Sequence, residues 1–394
     1  MANVLIVDDE KNILNSFKRT FFNESFNTII SSSPIEAFNI LEKNKIDIVI
    51  SDYKMPEMDG ITFLKKVKKL YPSVYRIILS GYIDEVTVSN SLISGIALAY
   101  IAKPWESDLL LKKIYNILRL KEIINNDELI TQINKIEHLP TLPKIYHNVV
   151  DAIANEAGIK DIVKLIEKDP SIASKVLQVA NSAFYGVTEI YDLEKAVLRI
   201  GLENLKNIVF LFSIKNNIKI STSLTSYMER LFIGFKRSNI CVQLLYMLKN
   251  NKRIPIKFSS LGLLFSIGKL LMLSLLSEQY EKIEKHLNNK NGYLFYKAEE
   301  ELKMESVNHR TIGCYFLHLW NFPELFFQIA LNYNNPDKLD DEYKEIGYLL
   351  NITDSVISAI EHKDSKLLSE IKPSFIEKED YLNVIKSIKE INSV

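Results

Sequence analysis

Polar side chains stand at the ends of four apolar runs in the first third of the sequence. Asp8 and Asp9 follow the run VLIV, Asp52 follows IDIVIS, Ser80 ends YRIILS, and Lys103 follows ALAYIA. Carboxylates that lie close together repel one another unless a cation neutralises them, and Mg²⁺ prefers such oxygen ligands. A carboxylate beside Mg²⁺ can attack a phosphoryl donor, and an ammonium group can pair with the phosphoryl oxygens. The pattern therefore predicts phosphoryl transfer at a divalent-metal site, with Asp52 as the nucleophile.

Five short β-branched runs alternate with amphipathic segments in this part of the chain. The runs are VLIV, NTIIS, IDIVIS, YRIILS and ALAYIA, and segments such as ILNSFKRTFF, PIEAFNILEK, GITFLKKVKKL and EVTVSNSLIS have helical spacing. The alternation predicts an α/β fold with a doubly wound, five-stranded parallel sheet. The functional crevice of such a sheet lies at the carboxyl ends of its strands, where the polar residues stand. The alternative, in which each polar residue only caps an element, explains a single Asp but not the ordered set.

The first third resembles the receiver domain of bacterial response regulators. The resemblance is carried by VDDE, by SDYKMPEMDG, by LSG and by KPW after the fifth strand. It implies that a sensor histidine kinase or a phosphotransfer protein phosphorylates Asp52, and that Asp8 and Asp9 help Asp52 to hold Mg²⁺. It further implies that Ser80 bonds the phosphoryl group and that Lys103 pairs with its oxygens.

Tyr100 stands three residues before Lys103, where the receiver family keeps an aromatic that swings inward as the hydroxyl moves toward phosphate. The alternative is an aromatic side chain packed at a strand end. The resemblance implies that phosphorylation repositions the face formed by the fourth helix, fifth strand and fifth helix. The segments ESDLLLKKIYNILRLKEII and ELITQINKIE then predict a helical connector. Pairing of two chains through this connector, giving a homodimer, is left open.

The strand signal disappears from His138 onward. Segments such as IKDIVKLIEKD and LENLKNIVFLFSI predict short helices separated by Pro or Gly, and Asp169 before Pro170 is typical of a helix start. An all-α bundle is therefore predicted. The motifs LPTLP, EKDPSIASKVLQVANSAFYG, LEKAVLRIGLENLK and HRTIGCYFLHLWNFPE resemble the HDOD domain, a relative of the HD metal-dependent phosphohydrolases. The resemblance extends from about Ile136 to about Pro336.

The run LGLLFSIGKLL lies in the frame where HD hydrolases carry adjacent metal-binding His and Asp. Phe265 and Ser266 occupy those two places here, and Arg237 stands where a further His is expected. Phenyl and guanidinium groups cannot ligate a metal, and a serine hydroxyl is a poor ligand. We therefore expect a buried helix without metal or cofactor, and an output domain that is not an enzyme. His309 is interpreted as a hydrogen-bonded helix residue or cap.

Composition restricts the classes of partner and location. Basic and acidic residues both number 49, so the net charge does not indicate binding to nucleic acid or anionic lipid. The two cysteines fit no metal or redox spacing, and the N-terminus MANVLIVDDE lacks the pattern of a secretory signal. The apolar window from Ile256 is interrupted by Lys, Ser and Gly, so no membrane segment is predicted. A cytoplasmic protein is expected.

These inferences combine into one prediction. Residues 1–120 form the receiver domain, 121–137 the connector, 138–336 the HDOD domain, and 337–394 a helical extension that completes the bundle. Phosphorylation gates an HDOD domain that works through contacts with a downstream protein, with Mg²⁺ in the receiver as the one cofactor. Two alternatives are an HD-type metal-dependent phosphohydrolase or phosphodiesterase output, and a DNA-binding regulator, which the neutral charge disfavours.

Overall fold

The computed structural model divides the chain into two compact units, Met1–Leu139 and Pro140–Val394. This division lies two residues from the predicted end of the connector. The structure describes residues 1–81, 96–124, 127–134, 143–181, 190–218, 220–289, 294–304, 307–320, 322–362 and 373–390.

The first unit is built on a parallel sheet. Its strands are β1 Ala2–Val7, β2 Phe26–Ser31, β3 Ile48–Asp52, β4 Tyr75–Ser80 and β5 Ala99–Ala102. The order β2-β1-β3-β4-β5 confirms the predicted doubly wound topology. The register sets Asp52 opposite Leu79 and Ser80 opposite Ala102, so the ends of the central strands share one edge.

Helices follow the first three strands as the apolar spacing predicts. They are α1 Lys11–Thr20, α2 Pro34–Lys43 and α3 Gly60–Leu70. Ser33 and Asp59 cap α2 and α3 by accepting hydrogen bonds from backbone N–H groups in the first turn. The helix predicted over EVTVSNSLIS falls on residues 82–95, outside the described residues.

The fifth predicted helix is α4 Ser107–Ile124, and α5 Asp127–Asn134 follows it. Three polar contacts tie α4 to the sheet unit. Lys113 Nζ donates to Tyr100 O at 2.7 Å, and Lys121 Nζ lies 3.0 Å from Asp47 Oδ1. Tyr115 Oη donates to Glu24 Oε2 at 2.5 Å. The α4 segment is therefore anchored to the receiver fold over its whole length.

The second unit is helical throughout its described part, as predicted. Its helices are α6 Lys144–Ala154, α7 Ile159–Glu167, α8 Pro170–Ala180, α9 Leu193–Ile200, α10 Leu202–Asn217, α11 Thr225–Asn250, α12 Leu261–Leu264, α13 Ile267–Leu275, α14 Ser277–Asn289, α15 Phe295–Glu301, α16 His309–Leu319, α17 Glu324–Asn332, α18 Asp341–Glu361 and α19 Lys378–Lys389. Side chains of α18 and α19 join the apolar core around α11. The region after residue 336 therefore completes this core.

The run LGLLFSIGKLL is buried as predicted, but it is not one helix. The chain turns at Phe265 and Ser266, between α12 and α13. The two segments pack on different partners, α12 on α11 and α13 on α16. Gly268 permits the second contact, because a Cβ there would lie 1.7 Å from the backbone oxygen of His309. The turn therefore lets one apolar run serve two helix interfaces.

One stretch within the described residues, Ile256–Leu275, is long and apolar enough to cross a membrane by length and composition. The structure buries 78% of that window inside the protein. Core helices of soluble proteins also meet this criterion, so the stretch is described here as part of the helical core.

Candidate functional site

The predicted acidic residues meet at the carboxyl edge of the sheet. Asp8, just after β1, is fully buried, and Asp52, which ends β3, is 7% exposed. Lys103, just after β5, reaches between them. Its Nζ lies 2.8 Å from Asp8 Oδ2 and 2.5 Å from Asp52 Oδ1. Three strands thus bring two carboxylates to one ammonium group.

Backbone contacts fix the free oxygen of each carboxylate. Glu10 N donates to Asp8 Oδ1 at 2.9 Å, and Lys54 N donates to Asp52 Oδ2 at 2.9 Å. The glycine of the MDG motif is required nearby, because a Cβ on Gly60 would lie 1.9 Å from the backbone oxygen of Asp52. The loop after β3 can therefore close against the end of the strand and hold the Asp52 carboxylate in place.

Burial and charge pairing act against each other in this cluster. Burial raises the pKa of Asp8 above its usual value, although Lys103 and the Glu10 N–H oppose the shift. Burial alone would lower the pKa of Lys103, but its hydrogen bonds to Asp52 and Asp8 raise that pKa overall. Lys103 therefore carries its positive charge at neutral pH.

The remaining predicted residues surround this cluster. Ser80 is buried, and its hydroxyl donates to Gly81 O at 2.9 Å. The Tyr100 hydroxyl donates to Ser80 O at 3.4 Å, and its ring is half-buried. Asp9 is exposed at the rim. The structure thus brings Asp8, Asp52 and Lys103 into direct contact and leaves the other three predicted residues beside them.

The donor set suits the magnesium ion that the resemblance implies. The carboxylates of Asp8 and Asp52 already converge on one positive charge, and the exposed Asp9 stands next to them. Carboxylate oxygens and an open, wet rim are what Mg²⁺ requires. Among the described residues, however, no three His, Cys, Asp or Glu side chains are already drawn together around a common point. Lys103 holds the counter-ion position instead.

In the helical unit, two of the three positions assigned to lost metal ligands, Phe265 and Ser266, belong to the core, and Arg237 is half-buried. Phe265 is 2% exposed, and its ring meets the edge of the Tyr333 ring at 4.8 Å between centroids. Ser266 is buried beside it. Arg237 Nη2 donates to the backbone oxygen of Lys389 at 3.5 Å. An aromatic contact and a link to α19 therefore occupy places where the hydrolase resemblance expects imidazole and carboxylate.

His309 is a hydrogen-bonded residue at a helix start, as interpreted from the sequence. Its ring is fully buried, with Nδ1 2.7 Å from Glu299 Oε2 and Nε2 2.8 Å from Tyr333 Oη. Burial lowers the pKa of His309 and raises the pKa of Glu299 to about 8. Neutral Glu299, His309 and Tyr333 side chains thus form one closed hydrogen-bonded chain.

A second buried polar group escaped the sequence analysis. Lys269 Nζ lies 2.8 Å from Asp354 Oδ1, and these side chains are only 14% and 5% exposed. A signal was present, because each stands within a strongly apolar run, FSIGKLLML for the lysine and NITDSVISAI for the aspartate. Charged residues in such runs are rarely buried unless they are paired.

Comparison with known proteins supports both units. The response regulator receiver domain model matches residues 4–115, and the HDOD domain model matches residues 139–336. Sporulation initiation phosphotransferase F of Bacillus subtilis is 32% identical over 118 residues, which cover 30% of this chain and 94% of that protein. The hydrogenase transcriptional regulatory protein HoxA of Cupriavidus necator is 36% identical over 117 residues, 29% of this chain. The matched part spans 23% of HoxA, about a quarter of its length.

A solved structure extends the comparison to the helical unit. The HDOD domain protein of unknown function from Geobacter sulfurreducens aligns with a TM-score of 0.50 at 16% identity, covering 71% of this chain and 89% of its own. At this identity the likeness shows the fold alone. Together with the match over residues 139–336, the fold shows that the chain belongs to the HDOD domain family and carries a response regulator receiver domain in its N-terminal unit.

Proposed function

We propose that Asp52 accepts a phosphoryl group and thereby gates an HDOD output that works through protein contacts rather than catalysis. The receiver domain and the response-regulator relatives support phosphorylation-dependent signalling. One observation carries the assignment of the acceptor. The Asp52 carboxylate ends β3 at the sheet edge, within 2.5 Å of an ammonium group that also contacts Asp8.

The chemistry follows from these contacts. A carboxylate oxygen of Asp52 attacks the phosphorus of a phosphohistidine, the P–N bond breaks, and the electron pair returns to the imidazole nitrogen, which takes up a proton. The product is an acyl phosphate on Asp52. Lys103 Nζ leaves its carboxylate contact and pairs with the new phosphoryl oxygens. Asp8, Asp9 and Asp52 are the residues that would hold Mg²⁺, which would neutralise charge during the transfer.

The response leaves the site through Ser80 and β5. The Ser80 hydroxyl, now bonded to Gly81 O, can turn to the phosphoryl oxygens. Tyr100 lies beside Ser80 and is itself linked to α4, because its backbone oxygen accepts from Lys113. A change at Ser80 therefore has a short route to α4 and the segment that follows it. The predicted fourth helix, on residues 82–95, lies outside the described residues.

The non-catalytic output is supported by the packing of Phe265 and by the link from Arg237 to the backbone of α19. A phosphohydrolase of this lineage needs a divalent transition metal in the helical unit. Metal analysis of the dialysed full chain separates the two functions, since tightly bound transition metal would favour the hydrolase.

The first test is phosphorylation of the full chain by acetyl phosphate with Mg²⁺, followed by intact-protein mass. We expect Asp52→Asn to take up no phosphoryl group, because the nucleophilic carboxylate is gone. Asp108→Asn, an exposed aspartate at the start of α4, is the matched control and should react like the wild type. Stoichiometric uptake by Asp52→Asn would overturn the assignment.

The output is tested by affinity capture from lysate. Protein treated with Mg²⁺ and beryllium fluoride, a phosphoryl mimic, is compared with Asp52→Ala. Partners that differ between the two support phosphorylation-gated contacts, whereas identical sets of partners contradict gating.

A further inference from the structure

A small charged cavity lies in the helical unit between α11, α13 and α18. The residues that define its chemistry are Arg230, Gly234, Ser266, Lys269, Asp354 and Glu361. It is partly open to the surface and has about 30 Å³ of free space, which is room for one or two water-sized occupants. A polar cavity of this size is not left empty in water, so the character of its occupant follows from the charges that surround it.

These charges do not balance. Arg230 forms an ion pair with Glu284, and Lys269 forms one with Asp354. Glu361 faces the same cavity, and its carboxylate makes no hydrogen bond or close ion pair with any described residue. Among the described residues, both cations of the cavity are therefore already paired, and the negative charge of Glu361 is left over. A partly buried charge without compensation is costly.

A second oxygen is also unsatisfied. Asp354 Oδ2 is buried without a hydrogen-bond partner, although Oδ1 of the same carboxylate is bound by Lys269. Asp354 and Glu361 lie two turns apart on α18 and therefore share one face of the helix. The chain makes room for Glu361, because a Cβ on Gly234 would lie 2.6 Å from Glu361 Oε1.

The neighbouring titratable groups do not neutralise Glu361. Burial lowers the pKa of His362, so its ring is neutral at pH 7. Burial also raises the pKa of Tyr280 well above its usual value, so its hydroxyl keeps its proton. Burial raises the pKa of Glu361 itself to about 7, because Lys269 and Arg230 only partly offset the cost of burying its charge.

We propose that this cavity binds one small monovalent cation, of the size of ammonium or potassium, between Asp354 Oδ2 and the Glu361 carboxylate. A single positive charge balances the single surplus negative charge. A divalent ion would leave an excess positive charge close to the ammonium of Lys269 and the guanidinium of Arg230, which opposes its entry. The hydroxyl of Ser266 lines the same space and offers a further oxygen ligand. The alternative occupant is a proton on Glu361.

The test is thermal unfolding of the full chain at pH 8 in ammonium chloride, potassium chloride or N-methyl-D-glucamine chloride of equal ionic strength. We expect the two small cations to raise the unfolding midpoint of the helical unit by about 2–4 °C over the bulky one. Glu361→Gln removes the surplus charge and should abolish the difference. Glu167→Gln, at an exposed position on α7, should retain it.

Rubidium, a potassium-sized anomalous scatterer, gives an independent readout in crystals. A peak between Asp354 and Glu361 in the wild type, absent in Glu361→Gln, supports the proposal. Equal midpoints in all three salts with no rubidium peak would assign the neutralising charge to a proton on Glu361. A midpoint difference that survives in Glu361→Gln would also overturn the proposal.

Discussion

The sheet edge of the receiver and the cavity of the helical unit have the same imbalance of charge. Asp8 and Asp52 share one lysine. At the cavity, Arg230 and Lys269 are paired with Glu284 and Asp354, and Glu361 is left without a paired cation among the described residues. Each region thus has one more carboxylate than cation. They differ in the space around the charges: the receiver cluster opens to a rim that carries exposed Asp9, whereas the pocket lies among helices and has about 30 Å³ of free space.

The comparison shows that the number of carboxylates and cations at a site does not by itself determine which ion the site binds. An open rim allows a cation to keep most of its waters, which suits Mg²⁺. A pocket with about 30 Å³ of free space holds an ion only after it has lost most of its waters, which favours a weakly hydrated monovalent cation. Under the proposed function the receiver cluster exchanges its counter-ion during phosphorylation, whereas the Lys269–Asp354 pair is fixed within the core.

The largest effect is predicted for loss of the buried Lys269–Asp354 ion pair. Lys269→Met removes the ammonium partner of the buried Asp354 carboxylate, and we expect it to lower the unfolding free energy of the helical unit by about 3–5 kcal/mol. Urea unfolding, followed by Trp320 fluorescence in a Trp105→Phe background, reports this unit. Lys344→Met, which removes an exposed ion pair on α18, should have no measurable effect. Equal behaviour of the two variants would mean that the buried pair is not stabilising.

The pH dependence of the helical unit tests its closed Glu299–His309–Tyr333 chain. The raised pKa of Glu299, about 8 against 4.5, makes folded protein bind more protons, so stability falls as pH rises. The lowered pKa of His309 has the opposite effect up to its usual value of 6.5, and the two cancel below that pH. The loss of stability that the Glu299–His309–Tyr333 chain contributes therefore lies between about pH 6.5 and 8, with a slope of up to about 1.4 kcal/mol per pH unit.

The measurement is urea unfolding at three pH values across that window, again with Trp320 as the reporter. Glu299→Gln has no titrating carboxyl group and should give a flatter profile, whatever its absolute stability. A wild-type profile as flat as that of the variant would show that Glu299 is ionised in the fold.

A smaller effect on stability is predicted at the acidic edge of the receiver. Lys103→Met leaves Asp8 and Asp52 without their shared counter-ion, so Mg²⁺ should stabilise this variant by about 1 kcal/mol more than it stabilises the wild type. The readout is Trp105 fluorescence in a Trp320→Phe background, with and without Mg²⁺. Lys65→Met, at an exposed position on α3, serves as the control. The same Mg²⁺ response in all three proteins would argue against a magnesium site at this edge.

The smallest effect concerns the predicted switch residue. Tyr100→Phe removes a long hydrogen bond to Ser80 O, so receiver stability should fall by about 0.5 kcal/mol or less. If Tyr100 is a switch, the same variant should still accept phosphate at Asp52 but alter the partners captured in the presence of beryllium fluoride. Unchanged partners would favour the alternative of simple packing at a strand end.

Local sequence pattern was sufficient to predict the described strands and helices of the receiver and the position of its acidic edge. Strands alternate with amphipathic helices at every described point, and the polar residues stand directly after strands whose ends must share one edge in a parallel sheet. Asp8, Asp52 and Lys103 could therefore be brought together without coordinates. The prediction of one helix over LGLLFSIGKLL was wrong, because apolar spacing does not show which neighbours a helix will meet.

Sequence pattern alone was enough to specify the two kinds of architecture, the acidic edge of the receiver, and the absence of a His-Asp pair in the HD frame. Three further features depend on the packed core: Lys269 meets Asp354, Glu299 and Tyr333 enclose His309, and Glu361 enters a cavity beside Gly234. The physical reason is separation along the chain. Periodicity and strand ends are set by neighbouring residues, whereas these contacts join helices whose register is fixed only when the core packs.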